Sequence, residues 1–262
     1  MPAISVCVLC MNEEVKIGAA LESVKWADEI VVVDSGSTDA TLTIARQYTD
    51  KVFFREWTDF SDARNYIASL ASHEWVFFLD ADEEVSARLA HEIRGMADDV
   101  WNRAGAMDMP RRNYLGGKYI RCYSPDRVRR LYHLNRTSQR KGRFVHDARD
   151  IIEGQLVRLR NPIYHNRAAP YDWNDFFSGR RLDERLPFLV QELRDRNRKP
   201  ALTDLTLRPV LTFMKYFILK GGITQGRFGL VFAWKAMVGV VLKYSKLYLD
   251  DSFAEGDEKR SG

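Results

Sequence analysis

The sequence predicts an α/β protein with a mostly parallel central sheet flanked by helices. Short apolar runs of strand length alternate with segments whose apolar residues recur at helical spacing, and polar or acidic residues follow the apolar runs. Alternation of this kind is typical of parallel strands joined by crossover helices. A further observation, a long stretch near the end of the chain without acidic residues, predicts a basic amphipathic helical appendage to that sheet.

Length and composition exclude several classes of protein. A chain of 262 residues, 45% hydrophobic and 29% charged, has the composition of a globular protein and is long enough for one large domain with an appendage. A formal net charge of +4 is too small to indicate nucleic-acid packaging, so we expect no nucleic-acid partner. Three cysteines cannot form a disulfide framework. The chain does not open with a secretory signal pattern, so we expect a cytoplasmic location.

Four apolar runs in the first part of the chain predict the parallel strands. They cover residues 3–10, 29–34, 52–54 and 75–79. Between them, apolar residues at helical spacing predict the crossover helices. Since ligands of open α/β sheets bind beyond the carboxyl ends of the strands, we expect the polar residues at these ends to converge on one edge. They are Asn12, Glu13, Asp34, Asp80 and Asp82.

The fourth run delivers two carboxylates, Asp80 and Asp82, that are separated by one residue. Mg²⁺ and Mn²⁺ prefer oxygen ligands and commonly use one or two protein carboxylates, with substrate phosphates and water completing the shell. A nucleoside diphosphate would supply those phosphates. An Asp-x-Asp pair is also common in solvated turns, but its position after a hydrophobic strand favours a metal site.

Asp34 heads a turn of small polar residues that opens the next helix. Backbone amides at such a helix start suit a polar ligand, although Ser37 or Thr38 could simply cap the helix. Other catalytic patterns are missing from the sequence. It contains no Gly-x-Gly, no Gly-Lys-Ser/Thr and no Gly-x-Ser-x-Gly, which argues against hydride transfer, ATP hydrolysis by a P-loop and α/β-hydrolase chemistry.

The stretch between Leu205 and Leu249 contains seven basic residues and no acidic one. Its uncharged runs are shorter than the roughly 18 to 20 residues that span a bilayer, so we expect no transmembrane helix. We expect two basic amphipathic helices, broken near Gly221 and Gly222, that lie in the plane of a membrane surface. A helical hairpin packed on the sheet is the alternative. The side chains expected to insert are Phe213, Phe217, Phe232 and Trp234.

The order of these motifs resembles glycosyltransferase family 2. The resemblance rests first on Asn12-Glu13, the run from Val31 to Asp39, Ala63-Arg64-Asn65 and the run from Leu79 to Glu83. It continues, as in the lipopolysaccharide core β-1,4-glucosyltransferase branch, through the run from Arg129 to Tyr132, the run from Phe144 to Asp147, Tyr164-His165 and the basic tail. The resemblance implies a GT-A fold, a nucleotide-sugar donor, Mg²⁺ or Mn²⁺ as cofactor, and inversion at the anomeric carbon.

The resemblance also implies roles for the residues at the strand ends. Asp34 would recognise the nucleotide base. Asp80 would face the ribose or the sugar and contribute to the metal site, and Asp82 would hold the metal ion. Around the nucleoside and the diphosphate the resemblance places Asn12, Glu13 and Arg64.

On the acceptor side, inverting transfer needs a general base near the acceptor hydroxyl. Asp147 is the candidate, with Asp150 as a rival, because related sequences often carry glutamate at the position of Asp147. His146 would orient this base or bind the diphosphate. An arginine-rich cluster would suit a phosphorylated acceptor, since guanidinium groups pair well with phosphate; a solvated basic face is the alternative. The acceptor candidates are Arg129, Arg130, Arg143 and His165, within a cluster that also contains Arg127, Arg136, Arg140 and Lys141.

We therefore expect a catalytic domain over residues 1–170, with a nucleotide-sugar half over 1–100 and an acceptor half over 101–170. A helical membrane-associating appendage over 171–250 and a disordered polar tail over 251–262 would follow. The expected reaction moves a hexose, glucose from UDP-glucose first, to a lipopolysaccharide core or related anionic glycolipid at the inner face of the cytoplasmic membrane. The alternatives are a nucleotidyltransferase that makes activated sugars and a non-catalytic nucleotide-sensing membrane adaptor.

Overall fold

The structure is a computed structural model that describes residues 1–58, 60–139, 149–167, 180–195, 197–199 and 201–258. The chain divides into two compact units. The first unit comprises residues 1–119 and 124–170, and the second comprises residues 120–123 and 171–262. The first unit is built around a large sheet, and the second is helical in its described part.

Four parallel strands form the first part of the sheet, in the order β3-β2-β1-β4. Almost every residue of β1, β2 and β4 is buried. Burial on both faces explains why these strands are continuous apolar runs in the sequence. Their bounds are β1 Ile4–Cys10, β2 Glu29–Asp34, β3 Val52–Phe54 and β4 Trp75–Asp80.

Helices cover these strands as the helical spacing predicts. In α4, Ser86 caps the first turn, because its Oγ accepts a hydrogen bond from the N–H of Leu89 at 3.2 Å. Leu89 and Ile93, four residues apart, turn the same face of this helix into the core. The helices of the first unit are α1 Ile17–Glu22, α2 Thr41–Ala45, α3 Phe60–Leu70, α4 Ala87–Arg94 and α5 Asp98–Arg103.

Beyond β4 the same sheet continues in the order β8-β6-β12-β5 and becomes mixed. Strand β8 runs antiparallel to both β4 and β6, whereas β12 runs parallel to β6 and antiparallel to β5. The α/β prediction is confirmed. The parallel strands β1 to β4 lie within residues 1–100, where the sequence predicts the nucleotide-sugar half. The strands are β5 Glu83–Val85, β6 Ala104–Leu115, β7 Lys118–Tyr119, β8 Asp126–His133, β9 Thr137–Gln139, β10 Arg149–Ile151, β11 Gln155–Arg158 and β12 Ile163–Arg167.

The second unit contains a helical hairpin with a break where the glycines predict it. Gly221 has a φ of 73° and Gly226 a φ of 56°, a region that favours glycine. A Cβ on Gly229 would lie 1.9 Å from the carbonyl oxygen of Gly222, so the start of α9 lies against the turn. The elements are α6 Arg180–Asp195, α7 Leu202–Leu205, α8 Leu207–Met214, a π-helical turn Lys215–Leu219, a 3-10 turn Gly222–Gln225 and α9 Gly226–Glu258.

One expectation for this unit needs correction. Phe232 is only 6% exposed and packs against Tyr123 and Phe228, so it is not an inserting side chain. Helix α9 is apolar on all sides, and periodicity therefore does not reveal its inner face. By length and composition, Gly222–Asp250 is also long and apolar enough to cross a membrane, with a mean hydropathy of 1.3. Counting uncharged runs does not detect a long apolar helix of this kind, because isolated lysines interrupt the runs while the mean hydropathy of the helix stays high.

Helix α9 continues to Glu258, into the segment whose composition predicts a disordered tail.

Candidate active site

The carboxyl ends of β1, β2 and β4 lie side by side. In the parallel register, Cys10 pairs with Asp34 and Leu9 pairs with Asp80. The loops that follow the three strands therefore share one edge, which we call the carboxyl edge. This is where the sequence predicts the polar residues to converge.

The loops after β1 and β2 are tied together by Asn12. Its φ of 54° is left-handed, a conformation that Asn adopts more readily than most residues. Its Oδ1 accepts a hydrogen bond from the N–H of Thr38 at 2.8 Å, and its own N–H donates to Ser37 Oγ at 2.8 Å. The carboxylate of Glu13 pairs with Lys16 Nζ at 2.7 Å. Asn12 thus braces the loop that a nucleotide at this edge would meet.

Asp34 is buried, with 2% of its surface exposed. Its Oδ2 accepts hydrogen bonds from the N–H groups of Gly36 and Ser37, each at 2.9 Å, and the Ser37 hydroxyl donates to its Oδ1. Gly36 has a φ of 107°, which suits glycine. The Asp34 carboxylate therefore holds the turn that frames the carboxyl edge.

Asp80 lies between two arginines. Arg64 donates to its Oδ1 at 2.8 Å, and Arg130 donates to its Oδ2. Burial alone would raise the pKa of the Asp80 carboxyl, but the guanidinium groups of Arg130 and Arg64 outweigh burial and hold that pKa well below its usual range. The side chain is still 33% exposed. Asp80 is therefore an ionised carboxylate whose two oxygens are both in ion pairs.

Glu83 pairs with Arg130 and with a further arginine, Arg111. Its side chain is fully buried, and its Oε1 lies 2.6 Å from a nitrogen of Arg130 and 3.4 Å from a nitrogen of Arg111. Burial alone would lower the pKa of the Arg130 guanidinium, but the carboxylates of Asp80 and Glu83 raise it. Arg130 is thus a permanently charged, buried link between the two acids.

Asp82 lies beside His165, with 3.1 Å between Asp82 Oδ2 and His165 Nε2. Strand β12 pairs with β5 so that His165 is opposite Glu83, which brings the imidazole to the carboxyl edge. Burial would raise the pKa of the Asp82 carboxyl, but the hydrogen bond with His165 and its charge outweigh burial and lower that pKa. The Asp82 side chain is 23% exposed and that of His165 is 9% exposed.

The orientation of His165 is set by Asn113 and Asp126. Asn113 Nδ2 donates to Asp126 Oδ1 at 3.1 Å, which leaves Asn113 Oδ1 to face His165 Nδ1 at 2.8 Å. Because this amide oxygen is an acceptor, Nδ1 carries the proton. Nε2 therefore faces Asp82 either with a second proton or with a lone pair that a shared cation would bind.

The Asp82 and His165 pair fits a divalent cation. Carboxylate oxygen and imidazole nitrogen are both ligands that Mn²⁺ and related ions accept. In the part of the chain that the structure describes, no group of three or more His, Cys, Asp or Glu side chains could hold a metal ion. Phosphate oxygens and water would have to complete the shell, as is usual for Mg²⁺ sites that bind nucleotides.

The predicted arginine cluster is not brought together. Neighbouring residues of a strand point to opposite faces, so Arg130 contacts Asp80 while Arg129 bonds the carbonyl of Arg149 at 2.9 Å. Arg127 pairs with Asp108, and Arg136 donates to three carbonyls at the end of α5. These described arginines have separate protein partners and do not form a common phosphate site.

Three acceptor-side candidates and two further members of the arginine-rich cluster lie outside the described residues. They are Arg140, Lys141, Arg143, His146 and Asp147. Asp150, the rival base, lies on β10 opposite Ser138 of β9.

Sequence reasoning missed the residues that support the site. The pairing of β5, β6, β8 and β12 brings these residues to the site, and no local sequence pattern predicts that pairing. They are Glu83, Arg111, Asn113 and Asp126. One signal was available, because Arg111 and Asn113 are two residues apart and therefore share a face of β6.

Acidic groups gathered at the carboxyl edge of a parallel sheet define the class of this protein as an α/β protein with a site for a polar ligand at that edge. The chain belongs to glycosyl transferase family 2, whose sequence model matches residues 5–149. It is a glycosyltransferase. Over 265 aligned residues it is 26% identical to the lipopolysaccharide core biosynthesis glycosyltransferase LpsC of Rhizobium meliloti, covering 94% of this chain and 92% of the relative.

Solved structures are similar to this chain at low identity. Glucosyl-3-phosphoglycerate synthase from Mycobacterium tuberculosis, solved with Mn²⁺, UDP and glucosyl-3-phosphoglycerate, is 16% identical over 74% of this chain and 79% of that chain, with a TM-score of 0.47. TarS 1-349 of S. aureus, solved with UDP-GlcNAc, is 15% identical over 97% of this chain and 92% of that chain, with a TM-score of 0.46.

Proposed function

We propose that this protein is an inverting glycosyltransferase that moves a hexose to a lipopolysaccharide core or related anionic glycolipid. The first donor to test is UDP-glucose, from which glucose would be transferred. The observation that carries the proposal is the pairing of Asp82 with His165 at the carboxyl edge, next to the ionised Asp80. Membership of family 2 and the full-length likeness to LpsC support the reaction class and the acceptor.

The donor would lie along the carboxyl edge. We propose that Asp34, Asn12 and Glu13 frame the nucleoside. Arg64 holds Asp80 in place beside the ribose or the sugar. Asp82 and His165 would hold Mg²⁺ or Mn²⁺. Asp80 would reach the ion only if an arginine released one of its oxygens.

The reaction is a single displacement. The acceptor hydroxyl attacks the anomeric carbon from the side opposite the diphosphate, a glycosidic C–O bond forms, and the C–O bond to the diphosphate breaks with its electron pair on the leaving oxygen. Asp82 and His165 would hold a divalent cation, which would neutralise the charge that develops on the diphosphate. The hydroxyl proton passes to a carboxylate base, for which Asp147 remains our candidate, with His146 beside it. Attack on the opposite face gives a β-linkage from an α-linked donor.

The acceptor is proposed to be lipid-linked, which places the enzyme at the inner face of the cytoplasmic membrane. His165 was expected on the acceptor side, but its contact with Asp82 favours a role at the cation. Of the proposed acceptor residues, Arg143 keeps that role, while Arg130 supports Asp80 instead. Arg129 bonds a backbone carbonyl and is a weaker candidate.

Thermal unfolding with a panel of nucleotides tests the donor site. UDP, GDP, CDP, dTDP and ADP are compared with and without Mn²⁺. UDP with Mn²⁺ is expected to raise the melting temperature, because a ligand at about 100 times its dissociation constant adds about 2.7 kcal/mol. Asp82→Asn should abolish the part of the shift that depends on metal. Asp99→Asn is the matched control, since the Asp99 side chain is 71% exposed on α5.

No shift with any diphosphate would refute the donor site. A shift in a protein that transfers no sugar would favour the adaptor. Pyrophosphate release from a nucleoside triphosphate and a sugar phosphate would instead identify a nucleotidyltransferase.

A further inference from the structure

The second unit has an apolar surface that its own fold leaves uncovered. Helix α8 and the π turn after it expose large apolar side chains, five of which are between 42% and 57% accessible. Their spacings of three, one, three and four residues place them along one side of the helix. We call these residues the apolar face: Leu207, Val210, Leu211, Met214 and Ile218.

The opposite side of the same segment packs inward. Pro209 is buried, and Tyr216 lies against Tyr123 with 5.0 Å between ring centroids. The apolar face is therefore not the inner side of the hairpin. Soluble monomers rarely expose a continuous apolar stripe of this kind unless something binds there.

The charges around the apolar face all have one sign. Between Leu205 and Leu249 the sequence contains no acidic residue. Lys215, Lys220 and Arg227 are exposed on the segment that carries the apolar face and on the start of α9. An apolar stripe bordered by exposed cations complements the acyl and headgroup layers of an anionic bilayer.

Helix α9 is long enough to span a membrane, but its second half is held in a charged bundle. Tyr244 and Leu247 are buried with Val190 of α6. Arg194 of α6 lies 3.1 Å from Asp250 of α9, so the two helices also share an ion pair. A span that reached Asp250 would have to break this ion pair or take its charges into the membrane, where charges are costly.

Asp204 of α7 is a further charged residue of the second unit. Its side chain is 1% exposed, with Arg198 at 3.1 Å and Arg208 at 2.6 Å. Burial would raise the pKa of this carboxyl, but its hydrogen bonds outweigh burial and lower it. The described part of the second unit thus combines ion pairs that join its helices with an apolar exterior on α8.

We propose that the apolar face inserts into the interface of an anionic bilayer, with α8 lying in the membrane plane and α9 not crossing the membrane. The proposal gives the membrane location a physical surface and rests on the proposed function only for the presence of a lipid-linked acceptor. It differs from the sequence expectation in its inserting residues, because the apolar face contains none of Phe213, Phe217, Phe232 and Trp234.

Vesicle flotation of the full chain tests the proposal without any nucleotide, so failure of the donor assignment does not affect the result. Vesicles of phosphatidylcholine are compared with vesicles that also contain phosphatidylglycerol. Leu211→Gln with Ile218→Gln removes two side chains of the apolar face. Val15→Gln with Ile152→Gln is the matched control, because Val15 and Ile152 are 78% and 65% exposed in the first unit.

The wild type is expected to bind the anionic vesicles preferentially. The Leu211 and Ile218 variant should bind them at least about tenfold more weakly, since apolar insertion supplies much of interfacial affinity, and the control should bind like the wild type. Extraction of cell membranes with alkaline carbonate should release the protein.

Three results would overturn the proposal. One is equal vesicle binding by the wild type and the Leu211 and Ile218 variant, including no binding by either. Another is retention in membranes after carbonate extraction, which would make α9 a membrane span. The third is a wild-type dimer without vesicles that the same variant converts to a monomer, which would make the apolar face a contact between two copies.

Discussion

The two edges of the central sheet both bury carboxylates, but they surround them differently. At the amino edge, Glu29 is 5% exposed and is bonded by Lys51, by Ser5 and by both the hydroxyl and the N–H of Ser72. At the carboxyl edge, Asp80 and Asp82 are 33% and 23% exposed.

One positive charge and neutral groups satisfy the amino edge completely. The carboxyl edge instead gathers several arginines and a histidine around three acids, two of which still face solvent. A closed network stabilises a fold, whereas ionised groups held firmly and left partly open are suited to a charged ligand. We therefore expect Glu29 to be a structural carboxylate and Asp80 and Asp82 to be carboxylates that act in donor binding.

The largest expected effect is that of Arg130→Met at the carboxyl edge. The change leaves Glu83 buried with only the longer contact to Arg111 among its described cationic partners. Removing one partner of a buried ion pair costs about 3 to 5 kcal/mol, which urea unfolding will measure. Arg103→Met is the control, because its pair with Asp99 is exposed and should contribute less than about 1 kcal/mol. Equal, small effects would mean that the arginine network is not structural.

Glu29→Gln tests the amino edge. Burial would raise the pKa of Glu29, but hydrogen bonds from Lys51, Ser5 and Ser72 lower it from 4.5 to about 2. A lowered folded-state pKa contributes stability that is present above the unfolded pKa and is lost as pH falls toward 2.

The variant should therefore lose about 2 to 3 kcal/mol of stability at neutral pH, and the loss should disappear in acid. Unfolding measured across pH 2 to 7 checks this, with the exposed Glu22→Gln as control. UDP binding should be unchanged, and a loss of UDP binding would contradict the separation of the two edges.

Asn113→Leu sharpens the account of the carboxyl edge. Without the amide oxygen, nothing among the described contacts of Nδ1 fixes the tautomer of His165. Loss of such a supporting hydrogen bond typically weakens metal binding by about 10- to 100-fold. Electron paramagnetic resonance of Mn²⁺ with UDP will measure the affinity, and Asn135→Leu is an exposed control. Unchanged affinity would remove His165 from the cation site.

The smallest expected effect lies outside both edges, in the second unit. Gly229→Ala would place a Cβ 1.9 Å from Gly222 O and should destabilise the hairpin by about 1 to 3 kcal/mol. Gly239→Ala on the same helix meets nothing within 4 Å and should stabilise it by up to about 1 kcal/mol. Opposite signs in urea unfolding are predicted, and equal signs would contradict the close contact at Gly222.

Local patterns predicted the parallel strands and the acids at their ends, because a buried parallel strand is a continuous run of apolar residues in the sequence. Asp80 and Asp82 were identified for this reason. The sequence interpretation assigned His165 to the acceptor side, whereas we propose a role at the cation because of its contact with Asp82, which depends on the pairing of β5 with β12.

Long-range pairing also explains the other differences. Asn113 and Asp126 come from separate strands, and their roles exist only once those strands are side by side. In α9 the difficulty was different, because a helix that is apolar all round does not indicate that Phe232 faces inward and Trp234, at 51% exposed, faces outward.

The most direct test of the proposed function is transfer of labelled sugar to the accumulated acceptor. Lipid-linked saccharides extracted from cells in which the gene is deleted are incubated with the protein, Mn²⁺ and radiolabelled UDP-glucose or UDP-galactose. Label should enter the lipid fraction with release of an equal amount of UDP, and Asp82→Asn should abolish the transfer while Asp99→Asn should not. Absence of lipid-linked label with either donor, or transfer that Asp82→Asn leaves unchanged, would contradict the proposal.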